Sequence, residues 1–376
     1  MGSRSSVIAS IIIVAVVFSA VGGFIFMTNP YVPAKIAIVV TEPGFGDHSM
    51  ADQVFAGLEE IGNDFVVDYD PFPVEDAIDA GTIIEQLSAA HKYDLIVVIG
   101  QDLASELASV ASSYPNQKYA LIGGEVVGAN NVFSATFEVQ EGAFLAGVLA
   151  ALTSVGDENR TGTGVVGIIG SVEGDPTLSA LIAGFRQGLD YANDTLNVTT
   201  TLLPIEYVGS YNDSVEAESI AAEMFDPTGG NATIIFAPVR ASIIGIRNAM
   251  IAANATFYDG TDRQPLAIAA EGDQDYIGLP DIERRYGNSW IITSVVPRSD
   301  LAVYRVINAT LWDEFQGDNL DYSLGPSEDV FDEPGVILTH SEYINYEWTP
   351  KTLFNTVGDI QSEIINGTIV VNSTYP

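Results

Sequence analysis

Short β-branched apolar runs alternate with helix-patterned segments along most of this chain, and that alternation restricts it to an α/β fold built on parallel sheets. Lys35-Ile-Ala-Ile-Val-Val-Thr41 is apolar on both faces, as a strand covered by helices on either side must be. Residues 49–62 follow with helical spacing, Phe55, Leu58 and Ile61 sharing one side. Residues 64–70 read as strand, 77–91 as helix, 93–100 as strand, 104–114 as helix and 118–123 as strand. The series restarts after residue 160. Residues 164–170 read as strand, and Asp175-Pro176 supplies an N-cap and a first-turn proline for a helix reaching about Ala192. Asp213-x-x-Glu216 has the form of a capping box before a helix ending near Phe225. Residues 233–237, 241–254 and 266–270 continue as strand, helix and strand. Two such series predict two lobes, each a doubly wound parallel sheet. Ligands of open α/β sheets sit beyond the carboxyl ends of the strands, so functional residues are expected just after Val40, Ile99, Ile169, Phe236 and Ala270.

At 376 residues and 47% apolar composition, the chain has material for two cores. Its 50 acidic against 14 basic residues, a formal charge of −36, repel phosphate backbones and anionic headgroups. Nucleic-acid partners and attachment through basic patches are thereby excluded. The acidity reads as a solvated shell. Absence of cysteine removes disulfides, thiol nucleophiles, thiolate metal sites and lipidation through an N-terminal Cys.

Residues 7–27 form an uncharged stretch of bilayer-spanning length, preceded by Arg4 and followed by Thr28-Asn29-Pro30. This predicts an N-terminal transmembrane helix with the body of the protein outside the cytoplasm. The competing reading is a cleaved signal peptide ending near Ser19-Ala-Val-Gly22, although signal cores are usually shorter. Asn-x-Ser/Thr sequons begin at Asn159, Asn193, Asn197, Asn212, Asn231, Asn254, Asn308, Asn366 and Asn372, all after residue 150, and point to an externally glycosylated surface. A glycosylating archaeal envelope would account for the sequons and the missing lipidation cysteine together.

Catalytic constellations are wanting. His48, His91 and His340 lack metal-site spacing, and there is no Gly-x-Ser-x-Gly elbow. Gly162-Thr-Gly-Val-Val-Gly167 precedes a strand instead of following one, so its glycines do not open a helix toward a dinucleotide. None of the four lysines follows a glycine ahead of Ser or Thr, which excludes a P-loop. Glu328-Asp329 and Asp332-Glu333 read as solvated loops, and Asp273-Gln-Asp275 lacks the rest of a calcium loop. No cofactor and no enzyme activity are expected. Residues 42–52, directly after the first strand, carry Asp47, His48, Ser49 and Asp52. Such a turn suits hydroxyl or amine recognition, and equally the simple capping of the next helix by Asp47 or Ser49.

From Lys35 to Leu338 the chain resembles the basic membrane protein family, also called purine nucleoside receptor A-like. These are solute-binding proteins with the type I periplasmic-binding fold that typically deliver nucleosides to ABC transporters. Asp47-His-Ser-Met-Ala-Asp-Gln-Val-Phe-Ala-Gly-Leu58 resembles the family's Asp-Lys-Ser-Phe-Asn-Gln…Gly-Leu segment. Tyr93-Asp-Leu-Ile-Val-Val-Ile-Gly100 is similar to its following strand, and Glu141-Gly-Ala-Phe-Leu-Ala-Gly147 to its most recognisable helix. Val166-Gly-Ile-Ile-Gly170 with Pro176 and Ala183-Gly-Phe185 fits the start of the second lobe. Ala270-Glu-Gly-Asp-Gln274 resembles Val-Asp-Ser-Asp-Gln, and residues 293–304 a late segment of the same spacing. Three positions depart. Met50-Ala51 replaces Phe-Asn, Glu271 replaces an Asp, and Pro297 stands where a Lys is common.

The resemblance implies ligand-binding residues Asp47, Ser49, Met50, Gln101, Arg240, Glu271, Asp273 and Arg298. Asp47 and Glu271 would accept hydrogen bonds from the ligand, Met50 would give apolar cover, and Arg240 or Arg298 would replace the missing lysine. It further implies a hinged clamp, with permease subunits of a transporter as partners. Residues 1–34 would form anchor and linker, 35–134 with 275–297 one lobe, and 135–274 with 298–376 the other, joined by crossovers near Ser134, Asp275 and Arg298. A membrane-anchored sensor and a surface glycoprotein that has lost its ligand are the alternatives.

Overall fold

The computed structural model describes residues 33–41, 44–326, 332–340, 343, 346 and 348–375. The expected transmembrane segment, 7–27, lies outside them. Among the described residues no helix is long and apolar enough to cross a membrane.

Two sheets form the framework. The first is six-stranded and parallel throughout, in the order Asn319–Tyr322, Val132–Phe137, Tyr119–Ile122, Leu95–Ile99, Ala34–Thr41, Val67–Val74. Ile36, Ala37, Ile38 and Val39 on one central strand, and Leu95 to Val98 on its neighbour, are fully buried because helices cover both faces. The strand expected at 64–70 is displaced to Val67–Val74, across Pro71 and Pro73. It is the edge strand, where prolines cost no ladder bond and an exposed side chain costs little burial.

In the second sheet the order is Glu206–Tyr207, Val165–Gly170, Ile234–Ala237, Leu266–Ala270, Ile291–Pro297, Val336–Leu338. Its last strand is antiparallel, and Thr201–Leu202 adds a short parallel pairing to Val165 and Val166. The Val139–Ser154 and Pro176–Thr195 helices pack face to face on this sheet. Gly147, Gly184 and Gly188 bring their backbones so close that a side chain at any of them would strike the partner helix's carbonyls. Phe185 stacks on Phe236, ring centroids 4.4 Å apart, and ties the helix pair to the central strand.

Two late segments, 275–297 and 299–322, join the opposite lobes from those expected, while Val336–Leu338 and the Lys351–Ile365 helix pack on the second lobe as expected. Residues 275–297 belong with the second sheet, because Ile291–Pro297 pairs with Leu266–Ala270. The Ser299–Leu311 helix and the Asn319–Tyr322 strand return to the first lobe, burying Ala302, Val303, Val306 and Ile307 against Val54, Leu58 and Ile61. The chain therefore crosses between lobes near residues 137–139, 297–299 and 322–336, and not at Asp275. The crossings lie together, Glu138 N–H donating to Tyr322 O at 2.8 Å and Arg298 N–H to Gly335 O at 2.8 Å.

Candidate functional site

The carboxyl ends of the strands in both sheets face one another across a cleft. Between them lies a cavity of about 280 Å³. The first lobe contributes Val40 and Thr41, the Asp47–Ala51 turn, and Gly100 to Asp102 with Gly123 at the next two strand ends. The second contributes Asp175 to Thr177, Tyr211, Arg240 and Glu271, each just past a strand of its sheet.

Local chemistry fixes each of these groups. Ser49 caps the Met50–Asp64 helix, its Oγ accepting Ala51 N–H at 3.4 Å, and Asp47 Oδ1 accepts Ser49 N–H at 3.0 Å. Asp52 folds back to accept Gly46 N–H and His48 N–H, both at 2.7 Å. Capping and cavity lining are thus performed by the same turn. Gly123 has φ +82°, and a Cβ there would lie 2.5 Å from Met50 Sδ, so glycine is what lets Met50 lie over that strand end.

Arg240 is the one cation among the lining residues, and it is already engaged. Its Nε donates to Glu271 Oε2 at 2.7 Å, and its guanidinium carbon sits 4.1 Å from the Tyr211 ring centre. Tyr211 Oη donates to Asp175 Oδ2 at 2.8 Å, while Asp175 Oδ1 caps the Pro176–Thr195 helix through Leu178 N–H at 2.8 Å. The result is a chain Glu271–Arg240–Tyr211–Asp175 that lines one wall.

Burial raises the Glu271 carboxyl, against the downward pull of Arg240. Burial also raises Asp47, only partly offset by Ser49 and Arg240. Burial and the bond to Asp175 push the Tyr211 hydroxyl up to about 12, so it stays a donor. Desolvation opposes the Arg240 charge, but Glu271 outweighs it and the guanidinium is held protonated.

Two left-handed residues sit at this wall, Arg240 at φ 49° and Glu271 at φ 72°, with His48 at φ 60° opposite. Non-glycine residues adopt that region at a cost, which surrounding contacts must offset. At His48 those contacts run between lobes. Gln274 Nε2 donates to His48 O at 2.7 Å, Tyr276 Oη lies 3.1 Å from His48 Nδ1, and Gly272 packs directly on the His48 carbonyl.

Two sheets meeting at a strand-end cavity can be compared with known proteins. A family model described as ABC transporter substrate-binding protein PnrA-like matches residues 34–371. The chain belongs to this family. An uncharacterised lipoprotein of Pyrococcus abyssi is 25% identical over 313 residues, 82% of this chain and 72% of that one. The ABC transporter nucleoside-binding protein BmpA of Lactococcus lactis is 24% identical, over 75% of this chain and 76% of its own. Among solved structures, a solute-binding protein of an ABC transporter system from Aeropyrum pernix superposes with a TM-score of 0.73 at 22% identity, covering 90% of this chain and 94% of that one.

In this PnrA-like protein six of the eight residues singled out from sequence meet at the cavity: Asp47, Ser49, Met50, Gln101, Arg240 and Glu271. The other two do not line it. Asp273 lies one turn past the strand tip, exposed, and accepts Asp275 N–H at 3.2 Å. Arg298 sits on the crossing between lobes, where Asp300 at 2.8 Å and Glu333 at 3.0 Å take up its charge. Asp102, Asp175, Thr177 and Tyr211 were not foreseen as lining residues. Asp175 was visible only as a helix cap, and Tyr211 carries no sequence signal, arriving from the loop after a two-residue strand. Among the described residues no cluster of His, Asp or Glu could hold a metal ion.

Proposed function

We propose that this protein is the extracytoplasmic solute-binding component of an ABC transporter, and that it captures a nucleoside or similar small polar molecule in the cleft between its lobes. The observation that carries this reading is the convergence of Asp47, Ser49, Met50, Gln101, Arg240 and Glu271 on one interlobe cavity, from loops up to about 220 residues apart. A solute touching both walls favours the form in which His48, Gly272 and Gln274 are in contact, which is how a hinged clamp converts binding into closure. A transporter's permease subunits would read the closed form. The nucleoside-binding relative from Lactococcus lactis supports the ligand class.

Wall charge sharpens it. Asp47, Asp102, Asp175 and Glu271 face one engaged arginine, so the cavity favours hydrogen-bond donors and repels anions. Calorimetric titration with a panel of nucleosides, bases and nucleoside monophosphates tests this. Micromolar or tighter binding of a nucleoside, with the phosphorylated form much weaker, is the expected result; silence with every nucleoside and base removes the ligand class.

We also propose that residues 7–27 tether the protein, body outward, and that the sequons carry glycans. None of the nine sequon asparagines is buried, which supports access by a glycosyltransferase. Mass spectrometry of protein from its native envelope would find glycan-bearing peptides; unmodified peptides at all nine would remove that part.

A further inference from the structure

The cavity does not end at Met50. A second chamber of about 260 Å³ adjoins it on the side of the crossings, and the two share Met50, Gln101, Gly123, Pro176 and Thr177. This annex is bounded at one edge by Thr136, Glu138 and Gln140, and at the other by Ser373 of the C-terminal segment. Ser373 lies beyond residues 34–371, so the family match says nothing about it.

That segment is fastened to the second lobe along its length. Ile369 and Val371 pack on the core beneath. Gln187, on the Pro176–Thr195 helix, clasps Asn372 from both sides: its Nε2 donates to Asn372 O at 2.7 Å and its Oε1 accepts Asn372 N–H at 3.1 Å. Arg186 covers the Tyr375 ring at 4.7 Å, and Tyr375 Oη donates to Asp190. A two-way amide clasp and a cation–π contact either side of Ser373 hold its short side chain at a defined place on the annex rim.

We infer that the C-terminal segment is a specificity wall: clamped by Gln187, it uses Ser373 to close the annex and so sets how large a group the bound solute carries beyond the carboxylate chamber. The solute class this implies is a two-part molecule. A donor-rich head meets Asp47 and Glu271, and a second group extends past Met50 toward Ser373. The inference rests on the proposed reading only in taking the cleft as the binding site.

The test is calorimetric titration of wild type, Ser373→Trp and Gln187→Ala with D-ribose, uridine and guanosine, preceded by a thermal-shift screen of sugars, amino acids, nucleosides and oligopeptides. Ser373 is exposed, so the tryptophan should leave the melting temperature unchanged. It should weaken the largest solute that wild type accepts by tenfold or more and the smallest by less than threefold. Gln187→Ala should blunt the preference between those solutes. If Ser373→Trp binds every solute as wild type does, the wall is overturned while the nucleoside reading stands. If wild type ignores nucleosides but binds another solute in the screen, with Ser373→Trp weakening it, the nucleoside reading falls and the wall stands. If wild type binds nothing in the screen, both fall.

Discussion

Replacing Gly272 by alanine tests whether the lobes work by closing. Gly272 follows the Leu266–Ala270 strand in the second lobe, and a Cβ added there would lie 2.3 Å from His48 O and 3.0 Å from His48 C in the first. Ordinary contact begins near 3.4 Å, so the alanine variant regains it only by opening this side of the cleft by about 1 Å. Opening by that amount stretches the Gln274 Nε2 to His48 O bond from 2.7 Å and the Tyr276 Oη to His48 Nδ1 contact from 3.1 Å beyond hydrogen-bonding range. Two lost bonds at about 0.5–1.5 kcal/mol each penalise the closed form by about 1–3 kcal/mol, a roughly 5- to 150-fold loss of apparent affinity. The lobes themselves should not suffer. Gly272 has no left-handed φ, and alanine at a compatible site adds about 0.4–1 kcal/mol of stability by restricting the unfolded chain. Titration with guanosine reads the affinity, small-angle scattering the opening, and urea denaturation the stability. Wild-type affinity with an unchanged radius of gyration would refute the closure argument, and so would a variant that loses affinity only because it unfolds.

Two further perturbations probe the buried charges. Arg240→Met strands Glu271, whose side chain is 5% exposed, and should cost about 3–5 kcal/mol at pH 7. Without its partner the Glu271 carboxyl rises further above its unfolded value, so the loss is largest at high pH and shrinks as pH falls; denaturation at pH 5 and pH 8 should show it, and adding Glu271→Gln should remove it. Burial and the neighbouring Asp273 push Asp275 up to about 7, although Ser294 and Thr339 donate to it. A raised carboxyl stabilises the fold in acid, and that contribution disappears as pH climbs from its unfolded value through 7. Relative to wild type, Asp275→Asn should therefore gain stability with rising pH across that window, by at most roughly 1.4 kcal/mol per pH unit; parallel stability curves for the two proteins would exclude the assignment.

What the sequence reveals about this molecule follows from which interactions are local. Burial on both faces of residues 36–40, of Leu95–Ile99 and of Leu266–Ala270 leaves an uninterrupted apolar run, so strands of this kind are legible residue by residue. Helix starts at Asp175 and Asp213 are legible for the same reason, since the cap is a contact over two or three residues. Sheet membership is another matter. Ile291–Pro297 is as buried as any strand of the first sheet, and nothing within its seven residues records which sheet it joins. Only the distant pairing of Ala267 with Ile291 decides it, and that pairing moves the lobe boundary by a full strand and helix.

The candidate site divides along the same line. Strand-end logic reaches Asp47, Gln101, Arg240 and Glu271, because each follows a readable strand by a few residues. It also reaches Asp273, and misplaces it, because that side chain, two residues past Glu271, is turned outward to solvent. The left-handed backbones of Arg240 and Glu271 have no sequence signature, since arginine and glutamate do not favour φ values of 49° and 72°. Each is held there by what it meets across the wall: Glu271 by Arg240, Arg240 by Tyr211, and Tyr211 by Asp175, groups from four separate loops. Strain of this kind persists only where neighbours over-determine the backbone. It marks the wall at which a solute would meet the second lobe, and it arises at the one level of structure that spacing along the chain does not encode.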